Sequence, residues 1–110
     1  MSNKYDIFPS PTIMIEAAKF AITQDKAIYL DYYLDTACDK AWIGEEKETK
    51  EKILIKSVNE YTDNIEKMYK VDGNDFIVIT NNSIYIVNSN IKKRHFNVSS
   101  LSHYDNVDEL

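Results

Sequence analysis

Two neighbouring segments, FIVIT (76–80) and SIYIV (83–87), constrain the fold more than any other part of this sequence. Both contain β-branched residues and place apolar side chains at successive positions, so that both faces of each segment are apolar. Asn81 and Asn82 lie between them, as is typical of the turn of a β-hairpin. We therefore predict that the two segments are the central strands of a sheet.

A helix is predicted near the start of the chain, over residues 11–24. Ser10 has the side chain of an N-cap, and Pro11 has a fixed φ that suits the first helical turn. The polar positions form one narrow stripe: Glu16, Lys19 and Thr23. Because apolar residues cover the rest of the circumference, we expect a largely buried helix with Phe20 and Ile22 in the core.

The segment after this helix alternates with a period of two and predicts a strand over residues 27–35. One face is apolar and is expected in the core: Ile28, Leu30, Tyr32 and Leu34. The opposite face presents Tyr29, Asp31 and Tyr33, and tyrosine supplies large amphipathic contact area in protein interfaces. These three residues are the candidate protein-interaction site. The alternative is that another part of the same molecule covers this face, since tyrosine also suits strands.

Shorter strands are expected at 40–44, 53–57 and, with less regular alternation, 64–71, with the charged run 45–52 as a solvated loop. The pattern predicts an α+β fold with an N-terminal helix on a twisted antiparallel sheet, or small partly open barrel, of five to six strands. Residues 1–90 would form one globular domain. Residues 91–110 would form a polar C-terminal tail.

Residues that support catalysis or bind metals and cofactors are few in this sequence. Cys38, His95 and His103 do not form a pattern typical of a nucleophilic or metal site. Two glycines provide no glycine-rich loop for a phosphate group. We therefore predict a non-enzymatic protein without catalytic residues, metal or cofactor.

A nucleic-acid partner is the alternative to a protein partner or self-association. It depends on the basic run Lys92, Lys93 and Arg94, which stands close to Phe96. The formal net charge is −5, and the acids beside the tyrosines would repel phosphate. Any binding of nucleic acid is therefore expected to be weak.

No contact with a membrane is expected, because the longest uncharged apolar run is far too short to span a bilayer. Residues 1–15 lack the pattern of a signal peptide, which favours a reducing compartment with Cys38 as a free thiol.

The sequence resembles a family of small proteins from giant viruses of amoebae and other nucleocytoplasmic large DNA viruses. The resemblance covers Phe8 to Asn88 and is carried by PSPTIM, DKAIYLDYY, EYT and NSIYI. It implies no catalytic residues. It does imply a setting in the host cytoplasm, within the virus factory, or in the virion, for a viral structural or interaction protein. The residues beyond Asn90 are not covered, so the resemblance assigns no role to the basic run.

Overall fold

The computed structural model describes residues 8–71 and 75–96. Two helices and eight strands lie within these ranges: α1 (Pro11–Gln24), β1 (Ala27–Tyr29), α2 (Tyr33–Ala37), β2 (Trp42–Glu46), β3 (Lys52–Ser57), β4 (Glu60–Tyr61), β5 (Ile65–Lys70), β6 (Phe76–Thr80), β7 (Ser83–Val87) and β8 (Lys93–Phe96).

The strands form two four-stranded sheets, sheet A in the order β1-β7-β6-β5 and sheet B in the order β4-β3-β2-β8. The predicted α+β class is confirmed, but the expectation of one antiparallel sheet or barrel is wrong. Both sheets are mixed, because β1 runs parallel to β7 and β2 runs parallel to β8. A parallel pair cannot be joined by a tight hairpin, so each of these pairs unites strands that are far apart in the chain.

Helix α1 has the predicted bounds and the predicted start. The Ser10 hydroxyl accepts a hydrogen bond from the Ile13 N–H at 3.2 Å, and Asp25 ends the helix in the left-handed region at φ 54°. Ile13 and Ala17 are buried against sheet A. Ile22 is 82% exposed, so its predicted place in the core is wrong. The helix packs on one layer only, which leaves its far side in solvent even where that side is apolar.

Strands β6 and β7 are central in sheet A, as predicted, and each buries both of its faces. Ile77 and Ile79 of β6 face α1, whereas Val78 between them joins the core on the side of sheet B. The core residues on the sheet B side include Ile43 and Leu54. Sheet A is therefore the middle of three layers, between the helix and sheet B.

The predicted strand over residues 27–35 is wrong beyond Tyr29. A turn follows, closed by the Tyr33 N–H, which donates to the Leu30 carbonyl at 3.1 Å, and α2 begins at Tyr33. Tyr32 is buried as expected, but Leu30 is exposed and Tyr33 is buried. Tertiary contacts fix this arrangement, because the Tyr33 hydroxyl donates to Asp75 Oδ2 at 2.7 Å.

The charged run 45–52 is shorter as a loop than predicted, because its ends belong to β2 and β3. The carboxylate of Glu46 is buried and accepts the N–H groups of Glu48 and Thr49, both at 2.8 Å. Part of the predicted tail is also structured, since β8 is an edge strand of sheet B. The remainder of that tail, residues 97–110, lies outside the described residues.

Candidate protein-interaction site

Lys56 is at the centre of a group of charged and aromatic side chains near the end of β3. Its ammonium nitrogen lies 3.3 Å from Asp35 Oδ2, 3.5 Å from Glu60 Oε2 and 3.8 Å from Asp31 Oδ2. The same nitrogen lies 4.5 Å from the centroid of the Tyr32 ring. We call these residues, together with two further tyrosines, the tyrosine–lysine cluster: Tyr29, Asp31, Tyr32, Asp35, Lys56, Glu60 and Tyr85.

Tyr85 joins the aromatic part of this cluster. The parallel register of β1 and β7 sets Tyr29 opposite Tyr85, and their rings stack with centroids 5.5 Å apart. The edge-on contact of Tyr85 with Tyr32 has a centroid distance of 5.3 Å. Tyr29 is nevertheless 45% exposed. Its ring is thus positioned by contacts within the molecule while much of its surface is open to solvent.

The surroundings of Lys56 and of Tyr32 raise the pKa of both side chains. Burial disfavours the charged form of Lys56, but its hydrogen bond to Asp35 and the neighbouring Asp31 and Glu60 carboxylates outweigh burial and raise its pKa. Burial, followed by the Glu60 charge, raises the pKa of Tyr32. By formal charge, the three acidic side chains of the cluster outnumber its one lysine, so the cluster is negative overall. A lysine held in its protonated form is not a nucleophile.

The structure brings together two of the three residues predicted for the interface. Tyr29 and Asp31 belong to the cluster, and exposed Leu30 lies between them in the chain. Tyr33 does not share their face, because β1 ends at Tyr29 and the Tyr33 side chain is in the core beside α1. There its hydroxyl contacts Asp75 and the Phe8 carbonyl. The interface role of Tyr29 and Asp31 stays a prediction.

Sequence reasoning missed Lys56, Glu60 and Tyr85. A lysine at the end of the apolar segment ILIKS was the only local signal, since Lys56 lies on the same face of β3 as buried Leu54. Tyr85 meets the other residues only through the parallel pairing of β1 and β7. No spacing in the sequence encodes that pairing.

The basic run does not present one positive surface. Lys92 and Arg94 both pair with Asp39, at 3.3 Å and 3.5 Å, and the Arg94 guanidinium lies 4.7 Å from the centroid of the Trp42 ring. Lys93 pairs with Glu45 at 2.9 Å, and this pairing, opposed by burial, lowers the pKa of Glu45. Because side chains alternate along β8, Lys93 projects to the opposite face from Arg94.

The described part of the chain shows neither a group of metal-binding side chains nor a membrane-spanning helix. Within residues 8–71 and 75–96, no three histidine, cysteine, aspartate or glutamate side chains are grouped to hold a metal ion. No helix in these ranges has the length and apolar character needed to cross a membrane. Comparisons with protein-family models, with curated proteins and with solved structures found no match.

Proposed function

We propose that this chain is a non-enzymatic protein-interaction module, and that it binds its partner through the exposed edge of the tyrosine–lysine cluster. We call this edge the tyrosine face: Tyr29, Leu30, Asp31 and Glu60. The observation that carries the proposal is the pair of neighbouring exposed apolar side chains, Tyr29 at 45% and Leu30 at 46%, beside three carboxylates.

The tyrosine face combines features that favour binding of a protein. Tyr29 offers a large aromatic surface, and its stacking on Tyr85 reduces the conformational freedom that binding would remove. Asp31 and Glu60, with side chains 52% and 59% exposed, would form a polar rim that favours basic groups on the partner. The negative charge makes a phosphate backbone or an anionic lipid a poor partner.

The resemblance to proteins of large DNA viruses suggests where this interaction takes place. We propose that the chain acts in the host cytoplasm, in the virus factory, or in the virion, as a structural or interaction protein. Support for this setting comes from the sequence motifs alone.

The proposal is tested by capture of partners from infected cells after cross-linking, followed by mass spectrometry. A double variant, Tyr29→Ala with Leu30→Ser, is expected to lose the proteins that the wild-type chain captures. Ile15→Ser is the matched control, because Ile15 is an exposed apolar residue of α1 outside the tyrosine face. Thermal unfolding of each variant establishes that the fold is intact. Capture of the same proteins by the double variant would contradict the proposal.

The alternative function, an accessory factor of viral transcription or DNA packaging that touches nucleic acid through Lys92, Lys93 and Arg94, has less support. Each of these side chains has an acidic partner within the chain, Asp39 or Glu45. Binding of phosphate would have to compete with these pairs, so that fewer counterions would be released from the nucleic acid for each contact.

A further inference from the structure

A groove lies between the start of β3 and the edge strand β5. Its volume is about 370 Å³, and it is lined by Lys50, Glu51, Lys52, Ile65, Glu66, Lys67 and Met68. Ile65 and Met68 are the apolar part of this lining, and both also pack against the core between the sheets. We call it the lysine groove.

The lysine groove has an excess of positive charge on a chain that is acidic overall. Within residues 8–71 and 75–96, none of its three lysines is in an ion pair, whereas Glu66 is paired with Lys26 at 3.4 Å. Glu51 opposes the charges of Lys50, Lys52 and Lys67. Glu45 lies opposite Lys52 in the register of β2 and β3, but it is already paired with Lys93 at 2.9 Å. Unpaired ammonium groups beside apolar side chains favour a ligand that carries both carboxylates and apolar surface.

The tyrosine–lysine cluster of the same molecule carries both carboxylates and apolar surface. Lys52 and Lys56 are four residues apart on one face of β3, so the lysine groove and the tyrosine–lysine cluster lie at opposite ends of that strand. The cluster supplies the exposed carboxylates of Asp31 and Glu60. Tyr29 stacks one side of its ring on Tyr85 and provides apolar surface that is partly exposed to solvent. The two ends are thus complementary in charge and in chemical character.

We propose that copies of this chain associate head to tail, with the tyrosine face of one copy in the lysine groove of the next. This inference rests on the proposed function, because it names the partner of the tyrosine face as a second copy. Asp31 and Glu60 of one copy pair with Lys52 and Lys67 of the other, and Tyr29 contacts the apolar lining. The contact joins two different surfaces, so each dimer retains one free surface of each kind and growth continues to a linear or ring-shaped assembly.

The test uses two complementary double variants in sedimentation velocity and light scattering. The face variant, Asp31→Asn with Glu60→Gln, keeps an intact groove, and the groove variant, Lys52→Glu with Lys67→Glu, keeps an intact face. Each variant alone is expected to weaken association at least about tenfold. A mixture of the two is expected to form a one-to-one dimer that grows no further, because the groove of the first binds the face of the second.

The wild-type chain is expected to show an average mass that rises with concentration and falls with added salt, since the paired charges are screened. A control with the same total charge change as the groove variant, Lys19→Glu with Lys40→Glu, alters exposed lysines outside both surfaces and is expected to associate normally. A wild-type chain that stays monomeric up to about 1 mM, or a mixture that forms no dimer, would overturn the head-to-tail contact. Loss of capture by the Tyr29 and Leu30 variant would still uphold the proposed function, so the two failures are distinguishable.

Discussion

The ammonium of Lys56 lies over the ring of Tyr32 and links it to the carboxylates of Asp31, Asp35 and Glu60. Because this lysine is 17% exposed while two of its acidic partners are more than half exposed, its contribution to stability is modest for a charged group.

Replacement of Lys56 by methionine is expected to lower the free energy of unfolding by about 1 to 2 kcal/mol, through loss of the cation–π contact and repulsion among the remaining carboxylates. The deficit should shrink in high salt, which screens that repulsion. Urea unfolding at low and high salt measures both effects, and Lys56→Arg is the control that keeps the charge. A methionine variant as stable as wild type would contradict the assigned role.

The stability of the fold is expected to vary with pH in the alkaline range, because the Tyr33 hydroxyl is buried and donates a hydrogen bond to Asp75. Burial, followed by this hydrogen bond, raises the pKa of Tyr33 from 10.0 to about 12. The contribution of Tyr33 is therefore fully present below pH 10 and is lost as pH rises toward 12. Tyr33→Phe should cost about 1 to 3 kcal/mol at neutral pH, since Asp75 loses a donor.

The difference in unfolding free energy between wild type and Tyr33→Phe should be constant below pH 10.0 and should narrow as the pH rises from 10.0 toward about 12. Urea titrations across this range measure the difference directly. A gap that is constant with pH would show that ionisation of the Tyr33 hydroxyl is not linked to folding.

Phe20 and Ile22 of α1 are expected to differ sharply in their effect on stability. The Phe20 ring stacks on Tyr69 with centroids 4.8 Å apart and packs against the core, whereas Ile22 projects into solvent. Phe20→Ala should cost about 2 to 4 kcal/mol, and Ile22→Ala should change stability by less than about 0.5 kcal/mol. Chemical unfolding of the two variants provides the comparison, and equal costs would contradict the observed orientation of the helix.

Gly44 is required by a close approach of side chains on the outer face of sheet B. An added Cβ would collide with Ile55 Cδ1 and lie 3.0 Å from Phe96 Cδ1. Gly44→Ala is expected to cost about 1 to 2 kcal/mol by overpacking. Ile55→Val removes the colliding methyl group, so its own cost of about 0.5 to 1.5 kcal/mol should fall when Gly44→Ala is present. A double-mutant cycle measures this coupling, and strictly additive costs would argue against the collision.

Binding of duplex DNA is expected to be weak, with a dissociation constant above about 10⁻⁴ M at physiological salt. Changing Lys92, Lys93 and Arg94 together to alanine should reduce the slope of binding against salt by less than the roughly three units expected of three free cations, because Asp39 and Glu45 already neutralise them. Fluorescence anisotropy over a salt series gives the slope. Tight binding that the triple variant abolishes would favour the nucleic-acid alternative.

Local signals were enough to predict some elements of this fold. Ser10 and Pro11 define the start of α1 through capping chemistry that needs no distant partner. The apolar character of β6 on both faces predicted its central place, because only a covered strand can bury both. The class of the fold follows from elements of this kind.

The other parts of the fold, and most of the candidate site, depend on contacts between residues that are distant in the chain. The period of two in residues 27–35 predicts a strand, but the hydrogen bond of Tyr33 with Asp75 and that of Thr36 with the Asn88 N–H favour a helix there. Tyr29 and Asp31 could be selected as polar and aromatic residues on an apolar segment. Their association with Lys56 could not be predicted, because it requires the packing of sheet A on sheet B.

The two parallel pairs have a consequence for the order in which the fold can form during synthesis. Ala27 pairs with Ser83, and Ile43 pairs with Lys93. Strands β1 and β2 therefore leave the ribosome long before their parallel partner strands have been synthesised. At a rate of synthesis of about 5 to 20 residues per second, the edges of β1 and β2 stay without their parallel partners for seconds. The nascent chain therefore cannot complete sheet A until β7 has emerged, or sheet B until β8 has emerged. A ribosome that stalls before these points leaves open strand edges available to other chains.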